Sequence, residues 1–371
     1  MLEAAAHSAP DDDLAPFADG LSAIRANAAA ADGAGHTLAA DVAELRRAGL
    51  LVAPLPAQAG GSGLGTGHRH TNAAVALLRA LGRANLSVAR LFEGHVNAVK
   101  LLALYADPGA RAEVFDRVRR GLLLGVWGAD GASPVVFDGD GLTGSKRFAS
   151  GLGLVGAALV TAKTEAGTQL CLVPADDVDR QDPGTWTASG MRATASGTYR
   201  LDGLRGADVV PIGEPDALFH EPHFEGGVWR YCAAHLGGAE ALYAEMLNHL
   251  GDRGQLDAPL QQLRVADAAV ACEGARLWIE AAAERVERAD PRSGENAAAY
   301  ALLARQATEA ACSCVIHAVE QAVGTAAFME GTAIERIRRD LGLYIRQAAP
   351  DAKRARAVRA LAGCHARADE L

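Results

Sequence analysis

The sequence predicts an α+β chain that is mainly α, with an N-terminal helical domain, a small central β domain of barrel or sandwich form, and a C-terminal helical bundle. Two observations carry this reading. Apolar residues recur at helical spacing from Asp19 to about Arg120 and again after Glu214. Between these stretches, from about Leu122 to Val210, short apolar runs are punctuated by glycine, proline and aspartate at strand-like intervals. The expected divisions are residues 1–120, 121–213 and 214–371.

In the first division, Asp41-Val-Ala-Glu-Leu-Arg-Arg-Ala-Gly-Leu and Ala73-Ala-Val-Ala-Leu-Leu-Arg-Ala-Leu read as amphipathic helices. Pro54 to Gly67 is too rich in Gly and Pro for a helix and separates them. The β domain is read from Leu122-Leu-Leu-Gly-Val-Trp, Leu159-Val-Thr-Ala, Leu170-Cys-Leu-Val-Pro and Thr198-Tyr-Arg-Leu. Long helical periods then cover Ala233 to His249, Leu260 to Ala289, Ala297 to Val323 and Ala333 to Ile345.

With 371 residues, the chain is long enough for two or three structural units and a sizeable core. Its 45 acidic against 36 basic residues argue against a polyanionic nucleic acid as partner. No unbroken apolar run of about 20 residues is present, so no membrane span is expected. The start, with Glu3 and three consecutive aspartates to Asp13, lacks the basic and apolar blocks of a signal peptide, which predicts a cytoplasmic protein. The six cysteines are scattered, and Cys312-Ser313-Cys314 lacks zinc-ligand spacing, so they read as reduced core thiols and no metal site is expected.

The most informative segment of the β domain is Gly144-Ser-Lys-Arg-Phe-Ala-Ser-Gly-Leu-Gly. A strand entering this turn presents Phe148 and Ser150 two positions apart on one face. An aromatic wall beside a hydroxyl donor suits a planar heteroaromatic cofactor.

Together with its neighbours, this segment resembles the acyl-CoA dehydrogenase superfamily over most of the chain. The resemblance rests on Leu45-Arg-Arg-Ala-Gly-Leu-Leu with Pro54 and Gly60-Gly-Ser-Gly-Leu, on the Gly144 segment, and on Gly190-Met-Arg-Ala-Thr-Ala-Ser-Gly-Thr. It continues through Arg253-Gly-Gln-Leu-Asp-Ala-Pro-Leu-Gln-Gln, where Leu256 and Asp257 replace the family's Phe-Gly, to Gln321-Ala-Val-Gly-Thr and Ile334-Glu-Arg-Ile-Arg-Arg-Asp. It implies a C-terminal four-helix bundle, FAD, and a homodimer or homotetramer that oxidises an acyl thioester or related substrate and passes electrons to a partner. Backbone groups of Trp127 and Gly128 would meet the flavin edge, Phe148 would lie against the ring, and Ser150 would donate to it. Ser133 would sit near the pyrophosphate. Arg253 would reach that group from a neighbouring subunit, a guanidinium fork matching phosphate oxygens, and Gln321 and Gly324 would meet the adenosine side. His95 sits on a helix that lines the substrate side in the family, and reads either as a substrate-side group or as a buried structural histidine.

The sequence departs from the family at the catalytic base. Removing an α-proton while hydride leaves the β-carbon needs a carboxylate, normally a glutamate. Its usual place, after Arg339-Asp340, is Ala348, and the alternative place early in the first bundle helix falls near Tyr231. Asp351 is the nearest carboxylate, as a replacement base or as a helix N-cap. Arg230, Tyr231 and Arg346 would bind an anionic substrate or donate to an oxyanion. The missing glutamate leaves two other readings open: a monooxygenase supplied with reduced flavin by a separate reductase, and a non-catalytic scaffold.

Overall fold

The computed structural model describes residues 12–33, 36–290, 292–347 and 349–364, so Ala348 lies outside the described residues. Helices α1 (Ala18–Ala31), α2 (Ala39–Arg47), α3 (Thr71–Ala84), α4 (Leu86–Tyr105) and α5 (Pro108–Arg119) form the N-terminal part. The Asn85 side chain caps α4 by accepting from Ser87 N at 2.9 Å. Asp107 caps α5 just ahead of Pro108, whose missing N–H costs nothing in a first turn. Most of α4 is buried, which makes it the inner wall against which both later parts pack.

The sheet domain contains a mixed sheet in the order β3-β2-β5-β6-β9 and a smaller antiparallel one, β4-β8-β7. Their strands are β1 (Leu124–Trp127), β2 (Val136–Phe137), β3 (Leu142–Thr143), β4 (Ser145–Lys146), β5 (Ala157–Thr164), β6 (Gly167–Pro174), β7 (Gln181–Asp182), β8 (Thr198–Arg200) and β9 (Val210–Ile212). β1 runs parallel to β5 with Trp127 opposite Val160, and β5 turns back antiparallel into β6. Alternation then fixes the two faces of β1: Leu124 joins the apolar layer under α4 and α5, while the buried Trp127 ring meets Tyr199 of β8 with centroids 5.1 Å apart. The sheets are thereby joined at the end of β1.

The bundle comprises α6 (Trp229–Asp252), α7 (Pro259–Arg288), α8 (Gly294–Val323), α9 (Ala333–Tyr344) and α10 (Pro350–Cys364). Its register against the N-terminal part is set where α3 and α6 touch backbone to backbone. A Cβ on Gly82 would stand 2.2 Å from Ala234 O, and one on Gly237 2.1 Å from Arg79 O. Any side chain there would force the helices apart. Arg79 and Arg83 seal the same contact through Glu240, at 2.5 and 2.6 Å.

By length and composition alone, Gly294–Phe328 would be long and apolar enough to cross a membrane, with mean hydropathy 1.2. Here α8 packs between α6, α7 and α10 and carries the buried Arg305. The expected thiols Cys171, Cys232, Cys272, Cys312 and Cys314 are free, and burial pushes Cys171 and Cys232 up to about 12, which keeps them protonated and inert.

Candidate active site

The turn after β4 is held from two sides. The buried Lys146 ammonium donates to Asp130 (2.6 Å), Thr161 Oγ1 (2.9 Å) and Gly128 O (3.3 Å), binding the end of β1 to β4. On the other side, Ala149 N donates to Gly197 O, Gly151 N to Thr194 O and Leu152 N to Ala195 O. So anchored, Phe148 keeps a left-handed backbone, φ 55°, which costs a non-glycine residue about 1 kcal/mol or more. Its ring is 53% exposed, edge-on to Trp186 at 6.0 Å and with the Arg147 guanidinium 4.8 Å from its centre.

Two positions on, Ser150 is buried and accepts a hydrogen bond from Ser196 Oγ at 3.0 Å, so its own proton must point elsewhere. It faces a narrow crevice lined by Arg90, Leu91 and Gly94 of α4 and by Gly125, Val126 and Trp127 of β1. The Trp127 indole is buried, and its Nε1 donates to Ser150 O at 3.1 Å and serves as a prop. Gly128 and Ser133 are exposed, but their carbonyls are taken, by Lys146 and Thr161 for Gly128 and by Ser145 N for Ser133.

Behind the crevice lies a buried polar cluster drawn from four helices. Arg90 of α4 pairs with Glu93 at 2.7 Å, and burial, against the pull of Arg90 and Arg230, holds the Glu93 carboxyl above its ordinary range. The Tyr344 ring of α9 stands edge-on to His235 of α6 at 4.3 Å, and His235 leans on Tyr231 at 5.3 Å. Tyr231 Oη, His235 Nε2 and Tyr344 Oη are shut from solvent and make no hydrogen bond of full geometry among the described residues, although Tyr231 approaches Arg305 and Tyr344 approaches the Glu93 carboxyl. Burial raises both phenols well above their usual value and lowers His235 to about 3, so all three groups are neutral near pH 7. Arg305 of α8 donates to Ile345 O (3.0 Å) and Gln347 O (2.8 Å), fixing the segment that leads into position 348.

Comparisons with known proteins place this geometry. Residues 223–345 match the acyl-CoA dehydrogenase, C-terminal domain family. No curated protein sequence matches the chain. Butyryl-CoA dehydrogenase from Megasphaera elsdenii superposes with TM-score 0.83 at 17% identity, over 97% of this chain and 100% of that one. The chain has the acyl-CoA dehydrogenase fold, and its residues 223–345 carry the sequence match to that family's C-terminal domain. Two further structures share the fold. TdsC from Paenibacillus sp. A11-2, in complex with FMN and indole, gives 0.78 at 19% identity over 92% of this chain and 94% of that one. KijD3, in complex with FMN and dTDP-3-amino-2,3,6-trideoxy-4-keto-3-methyl-D-glucose, gives 0.79 at 20% identity over 97% and 94%.

Within this acyl-CoA dehydrogenase fold, four expectations from the sequence need correction. His95 is fully buried, donating from Nε2 to Leu51 O (2.8 Å) and accepting at Nδ1 from Leu124 N (3.1 Å). Both nitrogens are used by the backbone and burial lowers it to about 4, so it staples α4 to β1 and is closed to substrate. Arg230 is likewise committed, to Glu287 at 2.6 Å and Gly65 O at 2.8 and 3.0 Å. Arg346 points outward, 60% exposed, and pairs with Glu309 at 2.6 Å. Asp351 is exposed and is the second residue of α10, so it is neither the N-cap nor a group in the crevice; its charge faces the positive helix end.

Tyr231 does reach the buried cluster. Arg253, Gln321 and Gly324 are exposed and share one end of the bundle, where Gln261 at the start of α7 donates to Ala322 O near the end of α8 at 3.4 Å. No described contact joins them to the Phe148–Ser150 turn. Sequence reasoning missed Arg90, Glu93, His235 and Tyr344. The available signal was polar residues on the apolar faces of α4, α6 and α9.

Proposed function

We propose that the protein is a flavin-dependent oxidoreductase that uses reduced flavin and dioxygen as a monooxygenase. The observation that carries this reading is a buried cluster of neutral groups, Tyr231, His235 and Tyr344, next to Arg90, which lines the Ser150 crevice, with Asp351 exposed on α10. The exposed Phe148 face and the spare Ser150 proton fit an isoalloxazine ring, and the TdsC and KijD3 complexes with FMN support a flavin. A bound reduced flavin supplies the two electrons with which one oxygen atom enters substrate and the other leaves as water. The chain's own part is to place the ring between Phe148 and the crevice, keep bulk water out, and offer phenol and imidazole hydrogen-bond donors where charge develops.

A separate, partly open cavity of about 390 Å³ lies beside α4 at Asn97 and Leu101 and is lined also by Phe219, His223 and Phe224. It suits a small apolar or aromatic substrate. A flavin reductase would supply the electrons. Exposed Leu260, Leu263, Val270 and Leu277 share one face of α7 and suit a second copy of the chain. Light scattering should then give a dimer or larger; a monomer mass at micromolar concentration contradicts it.

Acyl-CoA dehydrogenation is the second reading, favoured by Glu93, a buried carboxylate within the cluster. Purified protein given chemically reduced FMN or FAD in air, with indole as a trial substrate, should form an oxygenated product. Flavin reduction by an acyl-CoA in the absence of oxygen would overturn the monooxygenase reading. Parallel titrations of FMN and FAD test which flavin is held; the exposed Arg253, Gln321 and Gly324 would favour FAD only through a second subunit.

A further inference from the structure

A hydrogen-bond chain leads from the bundle to Ser150 through the turn at 191–196. The Asp340 carboxylate of α9 accepts from Met191 N at 2.6 Å, and Gly190 packs so closely on Arg339 O that a Cβ there would stand 2.4 Å away. Met191 and Ala195 both hold left-handed backbones, φ 55° and 45°. Two such residues within five are sustained only by contacts that over-determine the turn. What the turn delivers is a row of buried hydroxyls. Thr194 Oγ1 lies 2.7 Å from Met191 O and 2.8 Å from Ser196 Oγ, and Ser196 Oγ donates to Ser150 Oγ at 3.0 Å. Thr194 and Ser196 are 1% and 2% exposed, so water does not substitute for either.

Each hydroxyl has one proton; Met191 O is already served by Trp186 Nε1 and Thr194 N, both at 3.2 Å, so with Ser196 donating to Ser150 the Thr194 proton goes to Ser196 and the row has a direction. Because Ser196 spends its proton on Ser150, Ser150 is left as a donor toward the crevice, and a donor that also accepts is strengthened by polarisation along the chain. We propose that Ser196 is a positioning residue, holding the Ser150 hydroxyl as a hydrogen-bond donor aimed at the flavin, with Thr194 and Asp340 fixing Ser196 in place. This rests on the flavin reading of the Phe148–Ser150 turn. It adds that the flavin environment is set by residues of another turn and, through Asp340, by the bundle.

The test uses the full chain titrated with oxidised FMN, following flavin fluorescence and the visible absorption of the bound form. Ser196→Ala should weaken FMN binding by about three- to tenfold, the range of one net hydrogen bond. It should also move the visible band in the same sense as Ser150→Ala. Ser196→Thr, which keeps the hydroxyl, should restore both and guards against a folding defect. Because the two residues act through one proton, Ser150→Ala with Ser196→Ala should bind FMN as Ser150→Ala does. Multiplied effects in the double variant, or a Ser196→Ala protein with wild-type affinity and spectrum beside a weakened Ser150→Ala, overturn the relay alone. Wild-type FMN binding by Ser150→Ala overturns the flavin reading of the turn and the relay with it.

Discussion

Arg230 and Tyr231, adjacent on α6, enter two buried polar regions of opposite kind. Arg230 belongs to a saturated one. It meets Glu287 and Gly65 O, Glu287 meets Lys100 at 2.9 Å, and Lys100 donates to Thr66 O at 2.8 Å, tying α4, α6, α7 and the loop before α3 together. Tyr231 belongs to an open region, where its hydroxyl, His235 Nε2, Tyr344 Oη and Arg305 Nε make no hydrogen bond of full geometry among the described residues, Tyr231 only approaching Arg305 and Tyr344 only approaching Glu93. A buried polar group left unpaired costs about 1–3 kcal/mol. A small polar ligand in the open region would supply the partners that the protein itself does not fully provide.

The largest effect expected from this contrast is in the saturated region. Burial pushes the Glu287 carboxyl up, but Arg230 and Lys100 more than reverse this and hold it below its usual range. Glu287→Ala would leave two buried cations unpaired, which destabilises proteins by about 3–5 kcal/mol. Urea unfolding should show that loss, and a change under about 1 kcal/mol would show that water already satisfies the site.

Much of the fold was readable from sequence because it rests on periodicity. The strand Leu122 to Trp127, the runs at Leu159 and Leu170, and the long helical periods after Glu214 reappear as β1, β5, β6 and the bundle helices. At Phe148 and Ser150 the structure departs from the expected strand face: β4 ends at Lys146, Phe148 has a left-handed backbone and is exposed, and Ser150 is buried. His95 and Arg230 could not be judged from type alone, since their partners Leu51, Leu124, Gly65 and Glu287 lie far away in sequence. The open cluster escaped notice for the same reason: Glu93, His235 and Tyr344 sit on different helices, and their shared feature is what they fail to contact.

Asp340 gives an intermediate effect, at the joint between bundle and sheet domain. Burial raises its carboxyl to about 6, despite the Met191 N–H and Arg339. A carboxyl with a folded-state pKa above its unfolded value near 3.8 holds its proton more tightly when folded. Its contribution to stability is therefore complete below about pH 4 and is lost as pH rises through about 6. Asp340→Asn keeps an acceptor for Met191 N and cannot ionise. From pH 4 to 7, the variant should gain about 2–3 kcal/mol relative to wild type. Parallel pH dependence of the two proteins would show that Asp340 titrates normally.

The smallest effect on stability is expected in the open region, and it separates the two regions most sharply. Tyr231→Phe and Tyr344→Phe each remove a hydroxyl that makes no hydrogen bond of full geometry, only an approach to Arg305 and to Glu93 respectively, while the ring contacts with His235 stay. Deleting a buried polar atom that has no partner relieves a desolvation cost instead of losing a bond. Each variant should therefore match wild type within about 1 kcal/mol, or exceed it, in urea unfolding. Turnover should respond in the opposite way: losing a donor that stabilises developing charge slows an enzyme by about 10²–10³-fold. FMN affinity should change little, since neither phenol belongs to the Phe148–Ser150 turn. A clear loss of stability in Tyr231→Phe would mean that the hydroxyl has a partner in solution, and the cluster would then resemble the Arg230 region. Unchanged stability with unchanged turnover would remove these phenols from the chemistry and leave Glu93 and His235 to be tested in their place.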